Sequence, residues 1–73
     1  MGKGVITKTQ AFHLRIIIVK GRKGASVPAS SVPHNTLRAL VDRGYITQGN
    51  GILTYTAKGE EALREYDRKQ KQG

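Results

Sequence analysis

Histidine, serine and carboxylate are the side chains here that could do covalent or metal chemistry, and their spacing does not assemble a site. His13 and His34 are isolated, with neither a second histidine nor a carboxylate at metal-ligand spacing. Both read as surface or packing residues. Ser26, Ser30 and Ser31 stand in a proline-rich stretch with no acid nearby to activate a hydroxyl. Cysteine is absent, which removes disulfides and thiolate metal sites. Only five acids are present, four of them between Glu60 and Asp67. That is too little material for paired acid-base catalysis. No glycine-rich phosphate cradle occurs. The expectation is a protein that is not an enzyme, holds no metal and no cofactor, and has no small-molecule substrate.

Cationic chemistry is what remains. Thirteen Lys and Arg against five Asp and Glu give a net charge of +8 and a pI near 10.3. The excess is unevenly spread. Before Thr56 there are eight basic residues (Lys3, Lys8, Arg15, Lys20, Arg22, Lys23, Arg38, Arg43) and a single acid, Asp42. Such a surface collects polyanions by counterion release, the basis of sequence-independent affinity for nucleic acid. Solubility alone is the blander use of the same charge. At 73 residues the chain supports one core at most. So small a core gains from self-association, so a homodimer is compatible with it. The longest apolar run, Ile16 to Val19, is too short for a bilayer, and no signal-peptide pattern is present, so a cytoplasmic location is expected.

The elements that would carry this charge follow from periodicity and punctuation. Residues 1–8 read as a flexible basic arm. From Thr9 to Val19, Thr9 offers a cap, and Phe12, Ile16 and Val19 fall on one helical face. The alternation Phe12, Leu14, Ile16, Ile18 and the β-branched run suit a strand equally, so helix and strand both stay open there. Lys20 to Gly24 reads as a basic turn. Pro28 and Pro33 leave room for only a very short helix between them. Asn35 to Arg43 is a clean amphipathic helix, with Leu37, Leu40 and Val41 inward, Ser31 or Asn35 as cap and Gly44 as stop. Tyr45 to Gln48 and Ile52 to Tyr55 flank Gly49-Asn50-Gly51, a tight hairpin. Thr56 caps a last helix with Ala62, Leu63 and Tyr66 inward and exposed pairs Glu60 to Arg64 and Glu65 to Lys69. Residues 70–73 are expected to fray.

Two stretches resemble a known family. Thr36-Leu37-Arg38-Ala39-Leu40-Val41-Asp42-Arg43-Gly44-Tyr45-Ile46 is similar to the recognition helix of winged helix-turn-helix domains, running into the glycine that turns the chain toward the wing. Leu53-Thr54-Tyr55-Thr56-Ala57-Lys58-Gly59-Glu60-Glu61-Ala62-Leu63 resembles the second wing strand and the entry to the closing helix in bacterial and archaeal members, multiple-antibiotic-resistance-type regulators among them. The resemblance implies an α+β, mainly α fold of three helices, a two-stranded β-hairpin wing and a C-terminal helix, in one domain. It departs from the family in the proline-bounded segment Val27 to Pro33 and in a wing tip with no basic residue.

The family likeness implies duplex DNA as the partner and the Asn35–Arg43 helix as the reader of its major groove, in a transcriptional regulator, an architectural factor or a small phage or mobile-element protein. With Leu37, Leu40 and Val41 inward, helical geometry turns Asn35, Arg38, Ala39 and Asp42 outward, with Arg43 at the edge. Arg38 can hold guanine and Asn35 adenine through paired hydrogen bonds. His34 or Thr36 would take a phosphate near the helix start, and Gln48 or Asn50 one from the hairpin. Arg22 and Lys23 form either a phosphate-contacting loop or an ordinary solvated turn. Competing with these roles, Arg38 can pair with Asp42, and Asn35 can act only as a cap. Two rivals stay open: a winged-helix module docking an acidic protein, and an RNA or ribosome-associated protein.

Overall fold

In the computed structural model, the backbone is described for residues 6–72 and side chains for residues 6–69. Lys3 and the rest of residues 1–5 of the expected arm lie outside the described residues. Ile6 does not behave as arm, because its side chain is 3% exposed within the core. The next residue starts the first helix. The Thr7 hydroxyl accepts from the Gln10 amide and the Gln10 side chain accepts from the Thr7 amide, a reciprocal capping box. Helix α1 therefore runs Lys8–Arg22, capped by Thr7 and not by Thr9.

The inward face of α1 also differs from expectation. Ala11, Leu14, Ile17 and Ile18 are buried, whereas Phe12 and Val19 are 60% and 42% exposed and Ile16 is half-buried. Both stripes have three- and four-residue spacing, because the helix is apolar over most of its circumference. Four β-branched residues in succession cannot all face one way at 100° per residue, and the tertiary partners select Ile17 and Ile18. The helix ends within the expected turn at Lys20 to Gly24, but late in it: Lys20 to Arg22 are still helical, Lys23 is the C-cap and Gly24 follows at φ 81°. Gly21 lies under the Tyr55 ring, where an added Cβ would stand 2.7 Å from Cε1. The residue that suggests a break is thus where a strand side chain closes on the helix.

Where a short second helix was allowed, the chain forms strand β1 (Val27–Pro28) and a single 3₁₀ turn (Ala29–Ser31). Ser31 donates to the Pro28 carbonyl at 2.7 Å and does not cap the helix that follows. Helix α2 runs His34–Asp42, with Pro33 at its N-cap and no side-chain cap from Ser31 or Asn35. Leu37 and Leu40 are buried, Val41 packs against the core, and Gly44 at φ +79° stops the helix.

Strands β2 (Ile46–Gly49) and β3 (Ile52–Tyr55) form the hairpin around Asn50 (φ 54°) and Gly51 (φ 76°), the paired positive angles of a tight primed turn. The sheet has three antiparallel strands in the order β1-β3-β2, not two. Val27 lies opposite Leu53, and the Ala29 amide donates to the Gly51 carbonyl at 2.7 Å. A two-residue strand has no periodicity to read. It exists because β3 offers it a free edge.

Helix α3 (Ala57–Gln72) closes the molecule and continues through most of the tail expected to fray. Its start is tied to the end of α2 through Thr56. The Thr56 hydroxyl lies 2.7 Å from the Gly44 carbonyl and 3.0 Å from that of Tyr45, the Thr56 amide donates to the Tyr45 carbonyl at 3.0 Å, and the Gly59 amide donates back to the hydroxyl at 3.1 Å. Gly59 is required by this joint, since a Cβ there would overlap the Tyr45 carbonyl oxygen and stand 3.1 Å from its carbon. Leu63 is buried, with Ala62 and Tyr66 partly so. Glu60 accepts from Arg22 of α1 instead of pairing with Arg64. The result is a mainly helical α+β fold. Among the described residues no helix is long and apolar enough to cross a membrane.

Candidate nucleic-acid interface

The interface expected from sequence centres on α2, whose orientation is set by its buried side. Leu40 is fully buried and Leu37 nearly so, which fixes the helix about its own axis. The opposite side then presents Asn35, Arg38 and Asp42, all exposed, with His34 exposed as the first residue of the helix, Arg43 exposed just past its C-terminal end and Thr36 half-buried in the first turn. Asn35 makes no capping bond, so its amide is not committed to the backbone. Among the described residues Arg38 makes no ion pair with Asp42 or any other acid, although the two are spaced for one. The guanidinium is therefore free to meet a ligand without first breaking an internal contact.

The other expected contacts are distributed over separate elements. Gln48 is exposed on β2 and Asn50 on the hairpin turn, the strand itself lying against α2. Lys23 is exposed at the C-cap of α1, and its amide is used by the Val19 and Lys20 carbonyls. Arg22 is placed differently from the free loop residue imagined for it. Its Nε and Nη2 donate to Glu60 at 3.2 and 2.5 Å. That hydrogen bond, then the Glu60 charge, and more weakly Tyr55, hold its guanidinium above the ordinary arginine range. Arg15 is likewise raised, chiefly by its hydrogen bond to Asp67, with distances of 3.1 and 2.7 Å. The two ion pairs among the described side chains thus engage basic residues of α1, while the guanidiniums of Arg38 in α2 and of Arg43 at its C-cap are in neither.

Lys58 is a cation that the sequence reading did not assign to the interface. Its Nζ lies 4.0 Å from where a Cβ on Gly44 would be, beside the end of α2 and next in sequence to Arg43. The close approach of Gly59 to Tyr45 brings it there. The signal was present in the Lys58-Gly59 pair, but only the contact across the Thr56 joint tells which surface the lysine joins. Cations near a helix C-terminus are also favoured by the helix dipole. Arg43 and Lys58 are thus both exposed near the C-terminal end of α2.

His13 is occupied elsewhere, with Nδ1 3.0 Å from the Thr9 carbonyl and its ring edge-on to Phe12. Among the described residues no group of three or more histidine and carboxylate side chains converges as metal ligands would. Compared with known protein families, with curated proteins and with solved structures, the chain matches none.

Proposed function

We propose that the chain is a winged helix-turn-helix domain that binds duplex DNA without catalysing a reaction, seating α2 in the major groove with the β2–β3 hairpin as its wing. The observation that carries this reading is the outer face of α2. Asn35, Arg38 and Asp42 are exposed on one side of a helix whose other side is locked by Leu37 and Leu40, and Arg38 is unpaired among the described residues. Those three side-chain types are the ones that read adenine, guanine and cytosine edges respectively. Arg43, Lys58 and Lys23 supply phosphate contacts that position the helix without specifying sequence. His34 and Thr36 meet the backbone near the helix start, and Gln48 and Asn50 meet it from the hairpin. A regulator or architectural factor of cytoplasmic DNA is the corresponding role.

The experiment is a titration of labelled duplex, single strand and structured RNA at several salt concentrations, with Arg38→Ala in parallel. Steep salt dependence on duplex, together with a changed base preference in the variant, is the expected result. A preference for RNA or single strand overturns the duplex assignment. One feature favours a second reading, in which the basic surface docks an acidic protein. The hairpin from Thr47 to Tyr55 carries no cation, so its hold on a phosphate backbone rests on neutral side chains. Absence of binding to all three nucleic acids would select this reading.

A further inference from the structure

The tip of the β2–β3 hairpin sets an asparagine directly before a glycine, and that order carries chemistry of its own. A backbone nitrogen that follows asparagine can attack the side-chain carboxamide carbon and close a succinimide ring. A bulky next residue crowds the attacking nitrogen. Gly51 brings no side chain, and a Cβ placed on it would meet nothing within 4 Å. Asn50 and Gly51 are both exposed, so water reaches the site. The strand register closes on Gly49 and Ile52, which leaves the Gly51 nitrogen outside the ladder. The other asparagine of the chain, Asn35, stands inside α2 ahead of the β-branched Thr36.

We propose that Asn50 is a site of spontaneous deamidation in the folded protein, because the turn that holds it can reach the cyclising geometry without opening the hairpin. Asn50 has φ 54° and Gly51 has φ 76°, the type I′ arrangement. The other favoured hairpin turn, type II′, has φ of about +60° at its first central residue and differs there in ψ, at about −120°. That rotation swings the Gly51 nitrogen toward the Asn50 side-chain carbon, where the ring closes. Between the two turns only the peptide plane joining Asn50 to Gly51 flips. The second central residue must then take a negative φ, and glycine populates either sign about equally. The flip does not require the Gly51 carbonyl to leave the Ala29 amide, which donates to it at 2.7 Å, nor the Gly49 and Ile52 pair to separate.

Water is the only co-reactant. The Gly51 amide gives its proton to solvent base as its nitrogen bonds to Asn50 Cγ, and the carboxamide nitrogen leaves as ammonia. Water then opens the ring at one of two bonds. Breaking nitrogen from Cγ gives aspartate, whereas breaking nitrogen from the main-chain carbonyl carbon gives isoaspartate, whose backbone runs through Cβ and Cγ. Either product puts a carboxylate on a hairpin that carries no charged residue from Thr47 to Tyr55. Isoaspartate also lengthens the turn by one backbone atom, which strains the Gly49–Ile52 closure and the Ala29–Gly51 bond beside β1. The reaction proceeds whether or not the chain binds DNA.

The test is incubation of the full chain in mildly alkaline buffer at physiological temperature, folded in one arm and unfolded by guanidinium chloride in the other, with tryptic mapping by mass spectrometry over time. The fragment from Gly44 to Lys58 contains Asn50 and no other asparagine. In the folded arm its amide converts to acid at a rate within about 100-fold of the unfolded arm, a barrier difference of at most ~2.7 kcal/mol, and chromatography resolves aspartyl and isoaspartyl forms. Escape through global unfolding is slower than that limit, since the unfolded fraction is about 10⁻³ or less. A folded arm that falls below the limit means the turn holds the nitrogen away from Cγ, and overturns the assignment. Asn50→Gln, whose longer side chain must close a larger ring, abolishes the mass shift. A shift that persists in this variant would place the reaction at Gln48 and overturn it as well.

Discussion

Replacing Gly59 by alanine separates two opposed physical effects by the sign of the outcome. Helix propensity alone makes Gly59→Ala favourable by about 1 kcal/mol, since alanine is the better residue in a helix. The joint between α2 and α3 says the reverse. The added Cβ would overlap the Tyr45 carbonyl oxygen and sit 3.1 Å from its carbon, and that oxygen already accepts from the Thr56 amide and lies 3.0 Å from the Thr56 hydroxyl. Backbone cannot rotate away as a side chain can, so α3 must retreat. Overpacking of this kind costs about 1–3 kcal/mol, and weakening two hydrogen bonds adds about 1 kcal/mol each. Set against the propensity gain, the net destabilisation is about 2–4 kcal/mol. A chain of this length has roughly 4–10 kcal/mol in total, so the change is a large share of it. The melting temperature should fall by about 10–30 °C. Urea and thermal unfolding followed by circular dichroism measure it, with Gly49→Ala, which meets no atom within 4 Å, as the control. A Gly59→Ala variant as stable as wild type, or more stable, would refute the close approach and with it the placement of Lys58 beside Gly44.

Three further outcomes follow from the same contacts. Thr56→Val keeps the shape but removes the hydroxyl that accepts from Gly59 and reaches the Gly44 carbonyl, and should cost about 1–2 kcal/mol in urea unfolding; Thr56→Ser should recover most of it. Asn50 sits at φ 54°, so Asn50→Gly should be tolerated, whereas Asn50→Val should lower stability by about 1–2 kcal/mol, read from the urea midpoint. Arg15 and Asp67 form a two-pronged ion pair with side chains 48% and 39% exposed. A double-mutant cycle should therefore give a coupling below about 1 kcal/mol, falling further in high salt, and a coupling of several kcal/mol would mean the pair is far less hydrated than its exposure indicates.

Much of this architecture is legible in the residues because its local signals agree. Leu37, Leu40 and Gly44 define α2, Asn50-Gly51 defines the hairpin, and Thr56 caps α3, each within a few positions of the element it governs. The failures share a physical cause, which is dependence on distant partners. The inward face of α1 is ambiguous because both sides are apolar, and only packing against β3 and α3 chooses Leu14 and Ile17 over Phe12 and Val19. Strand β1 is two residues long and exists by pairing with Leu53. Glu60 prefers Arg22, 38 positions away, to Arg64 four positions away. In the candidate site, the outward direction of Asn35, Arg38 and Asp42 follows from helical periodicity alone. The engagement of Arg22 and the recruitment of Lys58 do not, since each depends on where α3 docks.

The central claim concerns which surface meets the nucleic acid, and amide chemical-shift mapping during titration with duplex DNA tests it residue by residue. The account predicts the largest perturbations from His34 to Arg43, smaller ones at Gln48, Asn50 and Lys58, and little change at Phe12, Ile16 and Val19. Perturbations concentrated on α1 and the outer side of α3, with the Asn35–Arg38–Asp42 face unmoved, would contradict it.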